Sequence, residues 1–424
     1  MALWGRFGRA SGDTRMKIGL FGQFGSGNAG NDGSLEAMLQ LLKRNCPDAD
    51  LLCICARPDI ISEKYNVATV PVGNPALESD LFRLLDKALL KLPRRLAGFL
   101  TAISVAHGLD LIIVPGTGIL DDFNEGPFGW PFVIMRWCLA ARLGRAKLAF
   151  VSVGAGPADH PVSRFFFRKA ALTAAFRSYR DEISHDFMKS LGVNSRSDMV
   201  SADIAFALPP ASNAAHDSVA TRVGLGVMTY RGWKRHEANA SDIYETYLGK
   251  IAALAAKLLA NGREVRLLTG DKGDLQAIND LLPRIQSPDA AKIIVEPVAS
   301  LHELMQQIAQ TDIVVASRYH NIVCALAMGR PAISLGYAAK NEALLHDTGL
   351  DGFGHHIERF DTQTILAQID DMFERREELA EKVEAGVAQY RLKLAQQEET
   401  LRAQLLTKRK GVLLTAPSRR QRAS

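Results

Sequence analysis

From Met16 onward the chain alternates short runs of aliphatic and β-branched residues with longer segments whose apolar positions recur at three- and four-residue steps. Runs such as Leu111–Val114 carry no polar alternation, which marks strands buried on both faces; helices interleaved with such strands mark a parallel sheet covered on both sides. Strands are predicted at Lys17–Phe21, Leu51–Cys55, Val67–Val70, Leu111–Val114, Lys147–Val153 and in a short run ending near Tyr179. The stretch Leu208-Pro-Pro-Ala-Ser-Asn-Ala-Ala215 has the content of a linker, and the alternation restarts at Arg222–Thr229. Further strands follow near Glu264–Leu268, Lys292–Val295, Asp312–Ala316 and Ala332–Leu335. The fold class predicted is α/β: two Rossmann-like domains, residues 16–211 and 212–360, facing a central cleft. Asp361 to Thr407 is charged, helical in pattern and nearly free of glycine, and is expected to form a long C-terminal helix packing back across the body.

Composition narrows the picture. With 424 residues, 47% hydrophobic and 23% charged, the chain has material for a large core, and disorder or a disulfide scaffold is excluded. The five cysteines are scattered and odd in number, so a reducing compartment is expected; no structural metal site is expected, and the adjacent His355 and His356 read as a solvated pair. No apolar stretch is long enough for a membrane span and no secretion signal is evident, which points to the cytoplasm. The net charge of +5 sits at the ends: six basic and no acidic groups in 408–424, and an excess of arginine in 1–15. Both ends read as disordered extensions on a mildly acidic body. Nucleic acid is therefore not an expected partner, whereas the basic tail suits anionic lipid.

Residues 77–106 interleave Leu81, Phe82, Leu84, Leu85, Leu89, Leu90, Leu92, Leu96, Phe99 and Leu100 with Arg83, Lys87, Lys91, Arg94 and Arg95. The expectation is a helix pair covering the sheet and broken at Pro93; the alternative is a cationic amphipathic surface lying in a membrane interface.

Three predicted strands run into glycine turns: Gly22 to Gly33, Pro115-Gly116-Thr117-Gly118 followed by Ile-Leu-Asp121-Asp122, and Gly154-Ala-Gly156-Pro157. Gly25-x-Gly27-x-x-Gly30 has the spacing of a dinucleotide fingerprint, ahead of a helix predicted at Ser34–Leu42. The next strand ends at Ala56-Arg57 with no acid for a ribose diol, so only a 2′-phosphate cofactor would suit, and a plain tight turn explains the spacing equally. In a doubly wound sheet ligands bind at the carboxyl ends of strands, so several turns lining one cleft is the better reading. On the second domain Ala316-Ser317-Arg318-Tyr319-His320-Asn321 ends a strand and opens a helix. A guanidinium, an imidazole and free amides there suit an anion plus proton transfer; a surface arginine beside a capping histidine is the plainer alternative.

Taken in order, these motifs over about residues 16–350 resemble the polysaccharide pyruvyl transferase family. Gly27-Asn28-Ala-Gly30 is similar to its glycine and asparagine turn, although Asn31-Asp32 stands where Asp-Glu is common. Pro115-Gly116-Thr117-Gly118 through Asp121-Asp122 resembles its triple-glycine turn, with proline replacing the first glycine. Gly154-Ala-Gly156-Pro157, Arg180-Asp181-Glu-Ile-Ser184 and Asp203-Ile-Ala-Phe206 fit as well. The most specific match is Ser317-Arg318-Tyr319-His320, followed by Ala325-Leu-Ala, Gly329-Arg-Pro331, Gly336-Tyr337 and Lys340.

The resemblance implies a GT-B-like architecture, phosphoenolpyruvate as donor, a hexose of a cell-surface polysaccharide as acceptor, and a pyruvate ketal as product, with no cofactor. It implies Arg318 and Arg180 as forks for the anionic donor and His320 as the acid. Gly27, Asn28, Gly116, Thr117, Gly118, Asp121, Tyr319 and Lys340 would bind substrate, with Asp121, Asp122 and Asp181 all eligible as base. A lipid-linked acceptor would give the basic segments a purpose at the inner membrane face. Three rivals stay open: an NADP-dependent oxidoreductase using Gly25–Gly30 and Arg57, a nucleotide-sugar-dependent GT-B glycosyltransferase, and a non-catalytic assembly partner that kept the fold, supported by the departures at Asn31 and Pro115.

Overall fold

The structure, a computed structural model, describes residues 15–74, 79–89, 91–123, 125–211, 221–233 and 238–407. The first sheet takes β1 (Lys17–Phe21), β2 (Asp50–Cys55), β3 (Ala68–Pro71), β4 (Leu111–Pro115), β5 (Lys147–Val153), β6 (Phe176–Tyr179) and β7 (Met199–Val200), in the order β3-β2-β1-β4-β5-β6-β7. The second takes β8 (Arg222–Gly226), β9 (Glu264–Leu268), β10 (Ile294–Val295), β11 (Ile313–Ala316), β12 (Ala332–Gly336) and β13 (Gly354–His356), in the order β10-β9-β8-β11-β12-β13. Every ladder is parallel. The predicted α/β class holds, and the continuous apolar runs are central strands: β4 is buried at every position.

Two edge strands, β7 and β13, are missing from the expectation because two or three residues carry no period. His355 and His356 lie on β13 and not in a loop, and His355 Nε2 stands 2.7 Å from Gln368 Oε1, which corrects the solvated pair. The helix after β1 begins at Ala29, five residues before the predicted start, because the Asn28 side chain caps it by accepting from Gly30 N–H and Asn31 N–H.

The C-terminal segment is two helices, Thr362–Glu374 and Arg376–Leu401, the second continued by a π-helical turn over Arg402–Leu406. Arg375 leaves helical geometry between them, and its guanidinium bridges Asp371 and Glu378 across the break. The second helix starts on the second domain, where Arg376 meets Asp312 and Tyr390 donates to Asp347, and ends on the first. There Gln397 Nε2 and Ser152 Oγ bond at 2.9 Å, and Glu398 takes Arg44 and Asn45. It does pack back across the body, strapping both domains. The linker expected at 208–215 leaves the described residues at 212, and the tail at 408–424 and nearly all of the extension at 1–15 also lie outside them.

The helix pair expected at 77–106 is present as Asp80–Ala88 and Leu92–His107, but it covers the sheet less fully than expected. Only Gly98, Ala102, Val105 and Ala106 of the second helix are buried, and the leucines at 81, 84, 89, 92, 96 and 100 face solvent. Pro93 opens that helix and does not break it.

Candidate active site in the interdomain cleft

In each sheet the strand order reverses between two neighbouring strands, β1 and β4 in the first and β8 and β11 in the second, so the loops that follow them part and leave a crevice. The two crevices face each other across a cleft of ≈ 220 Å³. Its walls include Asn28, Thr117, Gly118, Asp121 and Arg180 from the first domain and Arg318, Tyr319, His320 and Lys340 from the second. Parallel strands put every carboxyl end on one rim, which is why motifs far apart in sequence meet.

Gly27 and Gly116 stand outside this lining. Gly27 accepts Lys272 N–H at 3.1 Å, Ala29 N–H donates to the Gly270 carbonyl at 3.0 Å, and Asn28 Nδ2 donates to Asp271 Oδ2 at 3.2 Å. The first glycine turn is therefore a clamp between domains. Gly116 backs onto Ser34 and Ile204, inside the first domain. A Cβ on Gly30 would fall 2.0 Å from His320 Nδ1, so the third glycine of the dinucleotide-like spacing is where the second domain's histidine rests on the first domain's helix. That role replaces the pyrophosphate approach expected of the fingerprint, and Arg57 pairs with Asp59 on the surface.

His320 lies in the first turn of the helix Tyr319–Ala327, which Arg318 precedes without a side-chain capping bond. Its Nε2 makes no hydrogen bond within the protein, and the Asp203 carboxylate is 3.7 Å away. Burial lowers its pKa to about 4; Asp203 opposes this, while Arg180, Lys340 and Arg318 add to it. The imidazole is therefore neutral at pH 7 in the protein alone.

Both arginines are partly committed. Arg318 closes its fork on Asp274, with Nε and Nη2 at 3.0 and 2.7 Å from the carboxylate, so the donor fork expected there is an internal pair. Asp274 is itself fixed, accepting Thr229 N–H and Gly270 N–H. Arg180 donates to Asp203 at 3.1 Å, and its guanidinium lies 4.1 Å from the Tyr319 ring centroid, a cation–π contact across the domains. Burial works against its charge, but Tyr319, Asp203 and Asp181 outweigh it and hold the pKa above arginine's ordinary value. Its Nη2 faces the Gly118 turn: a Cβ on Gly118 would lie 3.6 Å from Arg180 Nη2, 3.7 Å from Lys340 Nζ and 3.0 Å from Asp121 Oδ2. Two cations and a carboxylate thus converge on the bare backbone of Gly118.

The three eligible acids separate. Asp122 accepts Asp159 N–H and His160 N–H, and Asp181 caps a helix by accepting Ser184 N–H. Both are structural. Asp121 lines the cleft 4.0 Å from Lys340 Nζ, and burial pushes its carboxyl up against the pull of that lysine.

An aromatic wall was not anticipated. Phe123 stacks on Tyr337 with centroids 5.0 Å apart, Tyr230 stacks on the same Tyr337 at 5.6 Å, and Trp233 packs 4.9 Å from Phe123. Phe123 and Tyr337 line the cleft. These four rings come from three segments far apart in sequence, so no local pattern announces them. Among the described residues, no group of three or more His, Cys, Asp or Glu is placed to hold a metal.

The polysaccharide pyruvyl transferase family model matches residues 28–338. The chain belongs to that family. The matched span runs from Asn28 to the residue after Tyr337, so it takes in the cleft lining except Gln23 and Lys340. A curated relative, the amylovoran biosynthesis protein AmsJ of Erwinia amylovora, is 20% identical over 89% of this chain and 97% of its own. This pyruvyl transferase family member shares its GT-B-like fold with solved structures of low identity. A putative UDP-N-acetylglucosamine 2-epimerase from Listeria monocytogenes is 12% identical with a TM-score of 0.58, covering 88% of this chain and 91% of that one. Anabaena HepE, solved with UDP and glucose, is 14% identical with a TM-score of 0.57, covering 93% and 100%.

Proposed function

We propose that this protein transfers pyruvate from phosphoenolpyruvate onto two hydroxyls of a hexose as a ketal, in exopolysaccharide biosynthesis, on the cytoplasmic side of the membrane. The observation that carries the reading is the meeting, along one interdomain cleft, of Lys340, Arg180 and Asp121 around Gly118, with His320 in the same lining. A small trianionic donor needs cations and helix amides more than an apolar pocket. Lys340 and the free side of Arg180 take its phosphate and carboxylate, with Gly118 leaving room for them.

His320 protonates the enol methylene, turning it into a methyl group as positive charge develops at the carbon bearing phosphate. A sugar hydroxyl adds there, giving its proton to Asp121, and a second hydroxyl displaces phosphate and closes the ketal, its proton leaving with the phosphate as hydrogen phosphate. Asp203 faces the imidazolium side of His320 and supports its protonated form. The stacked Phe123 and Tyr337, with Trp233 tilted against both, offer an apolar surface for the C–H face of the acceptor hexose. The acceptor is a repeat unit carried on lipid at the inner membrane face.

Calorimetry with phosphoenolpyruvate at low salt tests the donor. Wild type should bind, and Lys340→Met should bind roughly 10- to 100-fold more weakly, the worth of one charge-assisted contact. Binding of NADP or a uridine nucleotide, with none of phosphoenolpyruvate, would refute the reading.

A further inference from the structure

The helices Asp80–Ala88 and Leu92–His107 leave an apolar face uncovered. In the second helix Gly98, Ala102, Val105 and Ala106 pack inward, while Leu92, Leu96 and Leu100, recurring every four residues, are 59–60% exposed. Leu81, Leu84 and Leu89 of the preceding segment are 54–66% exposed, as is Phe82 at 60%. The Asp86 carboxylate accepts Arg94 N–H at 3.1 Å and lies 3.5 Å from Arg94 Nε, tying the two helices together. Large apolar side chains exposed singly are ordinary, but seven between residues 81 and 100, six of them on these two helices, are not.

The charge among them has one sign. Arg83, Lys87 and Lys91 are exposed, Arg94 and Arg95 are half-buried, and among the described residues of these helices the one exposed acid is Asp80, paired with Arg83. A second copy of this chain would bring like charge against like. A bilayer with anionic head groups matches both components, acyl chains for the leucines and phosphates for the basic rim.

The face also reaches the cleft. Phe128, 57% exposed, sits under the Arg95 guanidinium at 5.3 Å. The same loop carries Phe123 and Glu125, and Trp130 follows two residues later; all three line the cleft.

We infer that these two helices, with Phe128, seat the protein in the interface of an anionic bilayer and hold the cleft mouth at head-group level, where a lipid-linked saccharide enters directly. The seating stands on the surface alone, whereas delivery of the acceptor rests on the pyruvyl transfer reading above.

The test is flotation of the full chain with vesicles of equal parts phosphatidylglycerol and phosphatidylcholine, against pure phosphatidylcholine. Wild type should float with the anionic vesicles only. The exposed triple substitution Leu84→Gln, Leu96→Gln and Leu100→Gln should weaken partitioning by roughly 100-fold, about fivefold per half-withdrawn leucine. Lys87→Gln with Lys91→Gln should weaken it by about 30-fold. Phosphoenolpyruvate binding should be unchanged in all of them, so failure of the membrane surface and failure of the donor reading are separable. No flotation of wild type, or leucine variants that float as wild type does while deletion of 408–424 abolishes flotation, would overturn the inference. So would a dimer in sedimentation velocity that the leucine substitutions dissolve.

Discussion

Donor binding should draw a proton onto His320. In the protein alone its pKa is about 4, first because it is buried and then because Arg180, Lys340 and Arg318 surround it. About one molecule in a thousand is then protonated at pH 7. A general acid must carry its proton in the complex, which requires a shift of about 3 units, or about 4 kcal/mol. Two negative charges about 5 Å away, at an effective dielectric of about 20, supply about 7 kcal/mol. Even halved by pairing with Lys340 and Arg180, that is close to what the shift demands. Phosphoenolpyruvate binding at pH 7 should therefore take up between half a proton and one proton per donor at this residue. Calorimetry in buffers of different ionisation enthalpy reads this as the slope of observed heat against that enthalpy. The donor's own phosphate also titrates, so the His320→Gln variant is the control and the difference between the two slopes belongs to His320. Equal slopes with intact binding in both proteins would refute the assignment. The same depressed pKa sets a stability window: the folded value lies below the ordinary 6.5, so this stability is present above pH ~6.5 and lost as pH falls toward about 4, a total of about 3 kcal/mol. His320→Gln should flatten the fall of the urea midpoint across that range.

Three further outcomes follow from the geometry. Gly30→Ala keeps a helical backbone but drives a methyl into His320, so donor-dependent phosphate release should drop by about 100-fold, with about 1–3 kcal/mol lost in chemical unfolding from the overpacking; unchanged turnover would show that His320 does not need its seat. Arg180→Ala leaves the Asp203 carboxylate buried and should cost about 3–5 kcal/mol in chemical unfolding, whereas Arg180→Met with Asp203→Asn should cost less than the two single changes together. Trp233→Ala and Tyr337→Ala should raise the acceptor KM by roughly tenfold, the worth of one aromatic contact, with phosphoenolpyruvate affinity unaltered in binding titrations.

Much of the site was legible because its signals are local. Asn28, Thr117, Gly118, Asp121, Arg180 and the run Arg318–His320 each follow a strand whose apolar run is readable from the chain. Lys340 follows β12 in the same way. Parallel topology then carries all of them to one rim. The rest of the site depends on partners distant in sequence. Arg318 closes on Asp274, 44 residues earlier; Arg180 stacks on Tyr319 of the other domain; the aromatic wall is assembled from three separate segments.

The sequence by itself determined the α/β class, the strands with continuous apolar runs, the glycine turns and the membership of this chain in a family with a two-domain cleft, because period, turn chemistry and motif order are properties of neighbouring residues. Tertiary structure alone decided the edge strands β7 and β13, whose pairing depends on an adjacent strand, and the early start of the helix at Ala29. It decided that Gly30 makes room for a histidine and not for a pyrophosphate. It also decided the fate of the leucines in 81–100: a helical stripe says which side chains share a face, and only the packing of the whole chain says whether anything covers it.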